Sequence, residues 1–298
     1  MGPHVIGQRV VVRRIVPGET GPSGGPALTD TLGVCEHWGE GTCLLRLPDG
    51  ATVLIPTRLI VSGKPVPPRP SIRDRVPARE AELHGLALWP SLVTEPLGEW
   101  VLRRETDPVG RRRKRANSAL AYGDPGISPD EVVVRVREFY GQSPALAQFP
   151  LEEAETWSNR GWGPSLGDVH FHVAATAQVL RRIGSTPAVE LAEAGDRATA
   201  TLGPLASGVV ALDGDWAGVH SITVDPRHRR QGHATALLAT LVDWAASRGA
   251  TTVWLHVEAD NTPALGMYDG LGFRTHHTSR YLMAPPIEGL QITRSEAM

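Results

Sequence analysis

Residues 216 to 257 constrain this chain more than any other stretch. "WAGVHSITV" has the β-branched, alternating character of a strand, and "TTVWLHV" repeats that character after a helical interval. Between them Gly232 to Arg248 reads as a helix, with Ala234, Leu237, Leu238, Leu241, Val242 and Ala245 at the i, i+3, i+4, i+7 spacing of one buried face. Gly249 stands where a helix stops. A strand, helix, strand run of this length predicts a crossover that lays the two strands side by side and parallel. The chain is therefore expected to be α/β with a mixed sheet.

The helix opens with "RHRRQGHATALL", Arg227 to Leu238. Backbone N–H groups at a helix start have no intrahelical partner and carry partial positive charge. Gly232 and Ala234 leave those amides unobstructed, so the stretch suits a phosphate held by backbone, with arginines at the rim. It is neither a Walker loop nor a Rossmann fingerprint, since Gly-Lys-Ser/Thr is lacking and the turn has a single glycine. Taken alone, it is equally compatible with an ordinary basic helix start.

Its context narrows the reading. "RRQGHA" fits Arg/Gln-x-x-Gly-x-Gly/Ala, and "NTPALGMYDGLGF" fits Asn-x-x-Ala-x-x-x-Tyr-x-x-x-Gly-Phe. With the strand ending "ITVDP", these motifs resemble the GNAT superfamily of acetyl-CoA-dependent N-acetyltransferases over about Trp216 to Met283. The resemblance implies that Arg229, Arg230, Gln231, Gly232, His233, Ala234 and Thr235 hold the pyrophosphate of acetyl-CoA. It also implies that the backbones of Ile222 and Val224 pair with the pantetheine arm, that Asn261 bonds that arm, and that Tyr268 stands near the thioester sulfur. The plainer roles are a helix cap for Asn261 and packing on Phe273 for Tyr268.

Acetyl transfer to an amine needs a base to free the nitrogen lone pair and an acid for the departing thiolate. Tyr268 is the candidate acid. His220 is the first candidate base; by the two-residue strand period it shares a face with Ile222 and Val224. "VHSITV" also resembles the strand of arylalkylamine N-acetyltransferases, where a histidine aids proton removal. A core histidine is the plainer role. Glu258, at the end of the next strand, is the second candidate base. With no cysteine in this region, direct attack is expected rather than a covalent intermediate.

The basic run "GRRRKRANSAL" has no interleaved aromatics, which argues against nucleic acid and for a solvated loop. "RANSAL" followed by "GDPG" resembles an actinobacterial GNAT branch with an N-terminal small β-barrel, some members of which are associated with N-acetylglutamate synthesis. That resemblance makes Arg115, Asn117 and Ser118 candidates for the acceptor pocket and an amino acid such as glutamate the candidate acceptor. Lysine side chains of proteins and antibiotic-type amines are alternatives. So is a non-catalytic acyl-CoA sensor. No metal-ligand set is read.

The N-terminal residues have a different grammar. "QRVVVRR", "DTLGVCEHW" and the hairpin "TCLLRL-PDG-ATVLIP" predict short strands, with "GETGPSGGP" as a long flexible loop. These suggest a small SH3/Tudor-like β-barrel at 1–61, a proline-rich linker at 62–75, the GNAT domain at 76–290 and a tail at 291–298. Between these ends, "VPAREAELHGLALWP" and "SPDEVVVRVREFYG" predict helices. "EWVLRRE", "RANSALAYG", "HFHVAATAQV", "AVELAEA" and "TSRYLM" predict strands, and no internal repeat is read. A net charge of −2 gives no overall pull toward nucleic acid or a membrane. Cys35 and Cys43 are the only cysteines, so no disulfide framework is expected and a reducing cytoplasm fits. The partners expected are a small-molecule amine and no membrane; a homodimer is compatible, and the barrel is expected to bind a partner or pack on the catalytic domain.

Overall fold

Alternation organises the N-terminal residues. In β1 (Arg9–Thr20) Val10 and Val12 are buried and Arg13 is exposed. Alternation recurs in β2 (Pro26–Gly39), β3 (Thr42–Arg46) and β4 (Thr52–Pro56), whereas β5 (Ile60–Pro65) buries no residue fully. A computed structural model describes residues 1–22, 24–66, 71–108 and 112–287. It divides the chain into two compact units, Met1–Ser71 and Ile72–Met298.

In the first unit the strand order is β4-β3-β2-β1-β5, antiparallel throughout. Val10, Val12, Cys35, Cys43, Leu45 and Ile55 form its core. The two sulfurs lie 4.0 Å apart as free thiols. Among the described residues no ladder joins β4 to β5, so the hydrogen bonding is that of an open sheet and not the closed barrel expected. "GETGPSGGP" is not a loop throughout: β1 runs to Thr20, which pairs with Pro26. β5 reaches Pro65, inside the stretch read as linker, because Ser62, Gly63 and Lys64 find ladder partners on β1. Residues 67–70 of that linker and the tail 291–298 lie outside the described residues.

The second unit is one eleven-stranded sheet with helices. Its first half contains α1 (Ala78–Leu83), β6 (Leu92–Leu97), β7 (Trp100–Glu105), β8 (Ala119–Leu120), α2 (Pro129–Tyr140), β9 (Leu146–Pro150) and α3 (Leu151–Ser158). Then come β10 (Gly163–Ala175), α4 (Thr176–Arg182), β11 (Glu190–Ala194), β12 (Arg197–Leu202), β13 (Ala206–Asp213), β14 (Trp216–Val224), α5 (His233–Ser247), β15 (Thr252–Glu258), α6 (Thr262–Gly270) and β16 (Arg274–Met283). The predicted crossover is present: β14 and β15 are parallel, joined by α5. Leu237, Leu238 and Leu241 are wholly buried on the sheet, each contributing about 1.5–3 kcal/mol.

The strand order is β11-β12-β13-β14-β15-β10-β16-β9-β8-β7-β6. It contains one motif twice. β12, β13 and β14 form an antiparallel meander, α5 crosses to the parallel β15, and α6 leads to β16. Likewise β6, β7 and β8 form a meander, α2 crosses to the parallel β9, and α3 leads to β10. The final strands are exchanged, β10 pairing with β15 and β16 with β9. The repeat lies in backbone pairing and order, while the side chains differ, which is why the sequence shows none.

Three local expectations change. "RANSALAYG" contains only the two-residue β8, because Lys114–Ala116 form a 3-10 turn. "HFHVAATAQV" stops being strand at Ala175, and Thr176 starts α4 with its hydroxyl on the Ala250 carbonyl at 2.9 Å. The helix at "VPAREAELHGLALWP" tightens from α1 into a 3-10 segment at His84–Leu88. That segment and α1 cover the sheet face opposite α5, through Leu88, Trp89, Phe171, Trp216 and Trp254.

Candidate active site

The site begins where the crossover ladder ends. β14 and β15 pair from Trp216↔Thr252 to Val219↔Leu255 and then part. The cause sits in β14: Ser207 opposes Thr223, yet Val209 opposes His220, so β14 carries one extra residue. Ser221 takes it up at φ +55°. Such a bulge bends its strand and increases the local twist, opening a fork beyond Val219 in which β14 backbone groups lack a β15 partner.

α5 follows β14 in the chain and packs on it and on β13. Gly232 adopts φ +82° and no side chain caps the helix; no acidic residue occupies its first turn. Arg230 is also left-handed, at φ +64°. Alternation of this kind turns successive N–H groups toward one point and makes an anion-binding concavity. A Cβ on Gly232 would meet nothing within 4 Å, so the glycine supplies the backbone angle and open approach. Arg229, Arg230 and Gln231 are exposed around it, and His233, Ala234 and Thr235 form the uncapped first turn.

The corresponding place in the first half is the opposite electrostatically. α2 starts with a capping box: the Glu131 N–H donates to Ser128 Oγ, and the Ser128 N–H donates to Glu131 Oε2 at 2.9 Å. Asp130 and Glu131 put carboxylates there, which repel an anion. Here β8 and β9 are paired, and beside them the buried Arg103 of β7 donates to Ser118 and to Gln148 Oε1 at 3.0 Å. Anion-binding character is thus concentrated in the second copy.

The bulge also re-sorts the candidate residues. Val219, Ile222 and Val224 pack on the α5 side. His220 lies on the other face, its ring 4.8 Å from Trp89. The expectation that His220, Ile222 and Val224 share a face fails because Ser221 adds half a strand period. Burial, then the charges of Arg197, Arg113 and Arg115, push the His220 pKa down to about 3. Its Nδ1 is 2.9 Å from Ser221 Oγ. A neutral imidazole held so low is a poor proton acceptor.

Glu258 is likewise engaged. Lys114 Nζ donates to it at 2.8 Å and Arg115 at 3.3 Å, making it the anchor of the basic loop. Of the candidate acceptor-pocket residues, Arg115 lines the cleft. Asn117 instead clamps its own loop, donating to the Arg113 carbonyl at 2.9 Å and accepting from the Glu105 N–H at 3.3 Å. Ser118 is wholly buried against Arg103. Both turn inward because the loop's buried polar groups need partners. Arg111 lies outside the described residues.

Tyr268 is buried, 5.5 Å from Phe273 between ring centroids, and burial raises its pKa to about 12. It therefore keeps its proton at neutral pH. Asn261 caps α6, accepting from the Ala264 N–H at 3.3 Å.

Beyond the fork, a cleft of about 550 Å³ opens on the face away from α5. Leu88, Trp89, His220 and His256 form its wall, and Arg112, Arg113, Lys114 and Arg115 its cationic rim. Sequence reasoning missed His256 and its partner Glu82. His256 Nε2 lies 2.9 Å and 3.1 Å from the two oxygens of the fully buried Glu82 carboxylate. The two residues are 174 positions apart, so only the alternation of His256 with Glu258 on one strand face hinted at a role. Among the described residues there is no cluster of three or more His, Cys, Asp or Glu side chains that could hold a metal ion. No helix among them is long and apolar enough to cross a membrane.

Comparison with known proteins agrees with this geometry. Residues 171–273 match the acetyltransferase (GNAT) family. The ribosomal protein bS18-alanine N-acetyltransferase of Escherichia coli is 46% identical over 59 residues, 20% of this chain and 40% of that protein. The mycothiol acetyltransferase of Clavibacter sepedonicus is 48% identical over 63 residues, 21% of each chain. The chain thus spans well under half the length of these relatives. A GCN5-related N-acetyltransferase from Kribbella flavida shares the fold, with a TM-score of 0.52 and 17% identity over 72% of this chain and 96% of that one.

Proposed function

We propose that the protein is an acetyl-CoA-dependent N-acetyltransferase that acetylates a primary amine by direct attack in a ternary complex. The observation that carries this reading is the β14–β15 fork together with the uncapped, left-handed start of the α5 helix that follows β14. The residues fit the cofactor. The 229–235 amides suit its pyrophosphate, and the backbones of Ile222 and Val224 suit its extended arm. Asn261 stands near the start of α6, and Tyr268 has a proton to donate. Bound there, acetyl-CoA supplies an acetyl group on a thioester.

The acceptor side is read from charge. Four consecutive cations, Arg112 to Arg115, face a cleft whose lining carboxylates are Glu258 and Asp260, and Glu258 is already paired with two of the cations. An amine that also bears a carboxylate is the complementary guest, held by charge-assisted hydrogen bonds. An amino acid such as glutamate fits that description, whereas a lysine side chain or a polycationic antibiotic meets repulsion at the rim.

The test is a screen of acidic, neutral and cationic amines with acetyl-CoA, read as free thiol release. Acidic amines are expected to give the highest kcat/KM. Tight acetyl-CoA binding with no turnover on any amine would instead identify an acyl-CoA sensor.

A further inference from the structure

We infer that His256 accepts the proton from the incoming amine and that Glu82 is the positioning residue that fixes its ring, an inference that rests on the acetyl-transfer reading above. The argument starts from the protons. An ionised carboxylate only accepts hydrogen bonds, so the contact from His256 Nε2 to Glu82 requires the proton on Nε2. Nδ1 is then left with its lone pair, the ring's one accepting position.

Glu82 is built to stay charged. It accepts from Gln148 Nε2 at 2.6 Å, from His277 Nε2 at 3.1 Å and from Ser279 Oγ at 3.4 Å, besides His256. His256 and His277 hold its pKa well below the carboxylate range although it is wholly buried. A buried carboxylate behind an imidazole selects the tautomer, orients the ring and stabilises the imidazolium that forms.

The position is equally specific. His256 is the first β15 residue beyond the last ladder pair, at the apex of the fork, and its ring lines the cleft. The groups facing it are Glu82 from α1, His277 from β16, Arg115 from the basic loop and His220 from β14, with Phe171 of β10 packed edge-on at 5.2 Å. Burial lowers its pKa, Glu82 opposes that shift, and Arg115 and His277 add to it, so the ring is neutral at neutral pH. His220 has no such carboxylate, and the Glu258 carboxylate is held by two cations.

The step balances as follows. The ammonium form of the acceptor gives one proton to His256 Nδ1, from which it passes to solvent. The freed lone pair forms the C–N bond to the acetyl carbon as the C–S bond breaks. The sulfur takes a proton from the Tyr268 hydroxyl, which is replenished by the second proton of the attacking nitrogen. The products are the amide and the free thiol.

The test uses the full chain and its best amine, with free thiol release followed from about pH 5 to about pH 9. His256→Ala is expected to lower kcat about 10²–10⁴-fold, with acetyl-CoA affinity within about twofold, and added imidazole restores part of the rate. Glu82→Gln is expected to lower kcat about tenfold or more and to move the acidic limb of kcat/KM to lower pH, because the charge favouring the imidazolium is gone. Acetyl-CoA binding and thermal unfolding confirm that each variant is folded; if Glu82→Gln does not fold, the imidazole rescue decides. Undiminished kcat in His256→Ala, or loss without rescue, overturns the inference. So does an unmoved acidic limb in folded Glu82→Gln. Absence of turnover in the unaltered protein fails the acetyl-transfer reading itself, and the inference with it.

Discussion

Val219 and Leu255 are the last paired residues of the parallel β14–β15 ladder, and the next residue on each strand is a histidine. His220 and His256 both line the cleft, with opposite surroundings. Burial, and after it the charges of Arg197, Arg113 and Arg115, push the His220 pKa down to about 3, with no carboxylate among the causes. His256 has the Glu82 carboxylate at hydrogen-bond distance. The fork therefore presents one imidazole that stays neutral and one that is backed by a counter-charge.

Replacing Tyr268 by Phe removes only the hydroxyl and keeps the packing on Phe273. If the hydroxyl protonates the thiolate, kcat falls about 10²-fold or more with little change in thermal stability. Turnover equal to the unaltered enzyme across pH would dismiss the acid role.

Gly232→Ala tests the anion cradle. A side chain at φ +82° costs about 1–2 kcal/mol, a fall of a few degrees in Tm for a domain of this size. No protein atom lies within 4 Å of the new Cβ, so the larger effect is expected on cofactor binding, with the Kd for acetyl-CoA rising about tenfold. Calorimetric titration gives the answer, and an unchanged Kd would count against backbone recognition at this turn.

Arg113→Ser tests the acidic-acceptor reading. Loss of one charge-assisted hydrogen bond, about 1.5–3 kcal/mol, should raise KM for a carboxylate-bearing amine at least about tenfold and leave a neutral amine unaffected. Equal effects on both amines would mean that the rim does not read charge.

Ser128→Ala removes the α2 capping box and should cost about 1 kcal/mol in urea unfolding. Acetyl-CoA stoichiometry should stay at about one per chain, because the first copy of the motif has carboxylates where the second has bare amides.

The acid sensitivity of the fold follows from His220. Its folded pKa, about 3, lies below the ordinary value near 6.5, so between these the unfolded chain binds the extra proton. Stability must then rise with pH across that window and be flat in this group above it. His220→Gln should lose less stability than the unaltered protein between about pH 7.5 and about pH 5, read as urea midpoints. Identical losses would show that His220 is not buried neutral.

The boundaries of α2 could be read from Ser128, Pro129 and Gly141 because a cap is local chemistry. The crossover could be read from the spacing of Leu237, Leu238 and Leu241 for the same reason. The inward turn of Ser118 could not, since its partner Arg103 lies on another strand. Nor could the closeness of Gly218 to Leu88 and Trp254, where an added Cβ would come within 2.5 Å and 2.6 Å.

By itself, then, the sequence determined the parallel crossover, the glycine-opened start of α5 and the family motifs, all of which depend on residues within a helical turn or a strand period of one another. Only the tertiary structure decided which face His220 takes, because one extra residue at Ser221 inverts the side-chain alternation beyond it. It alone brought Glu82 to His256 across 174 positions, since a buried carboxylate is tolerable only where the fold gathers enough donors around it.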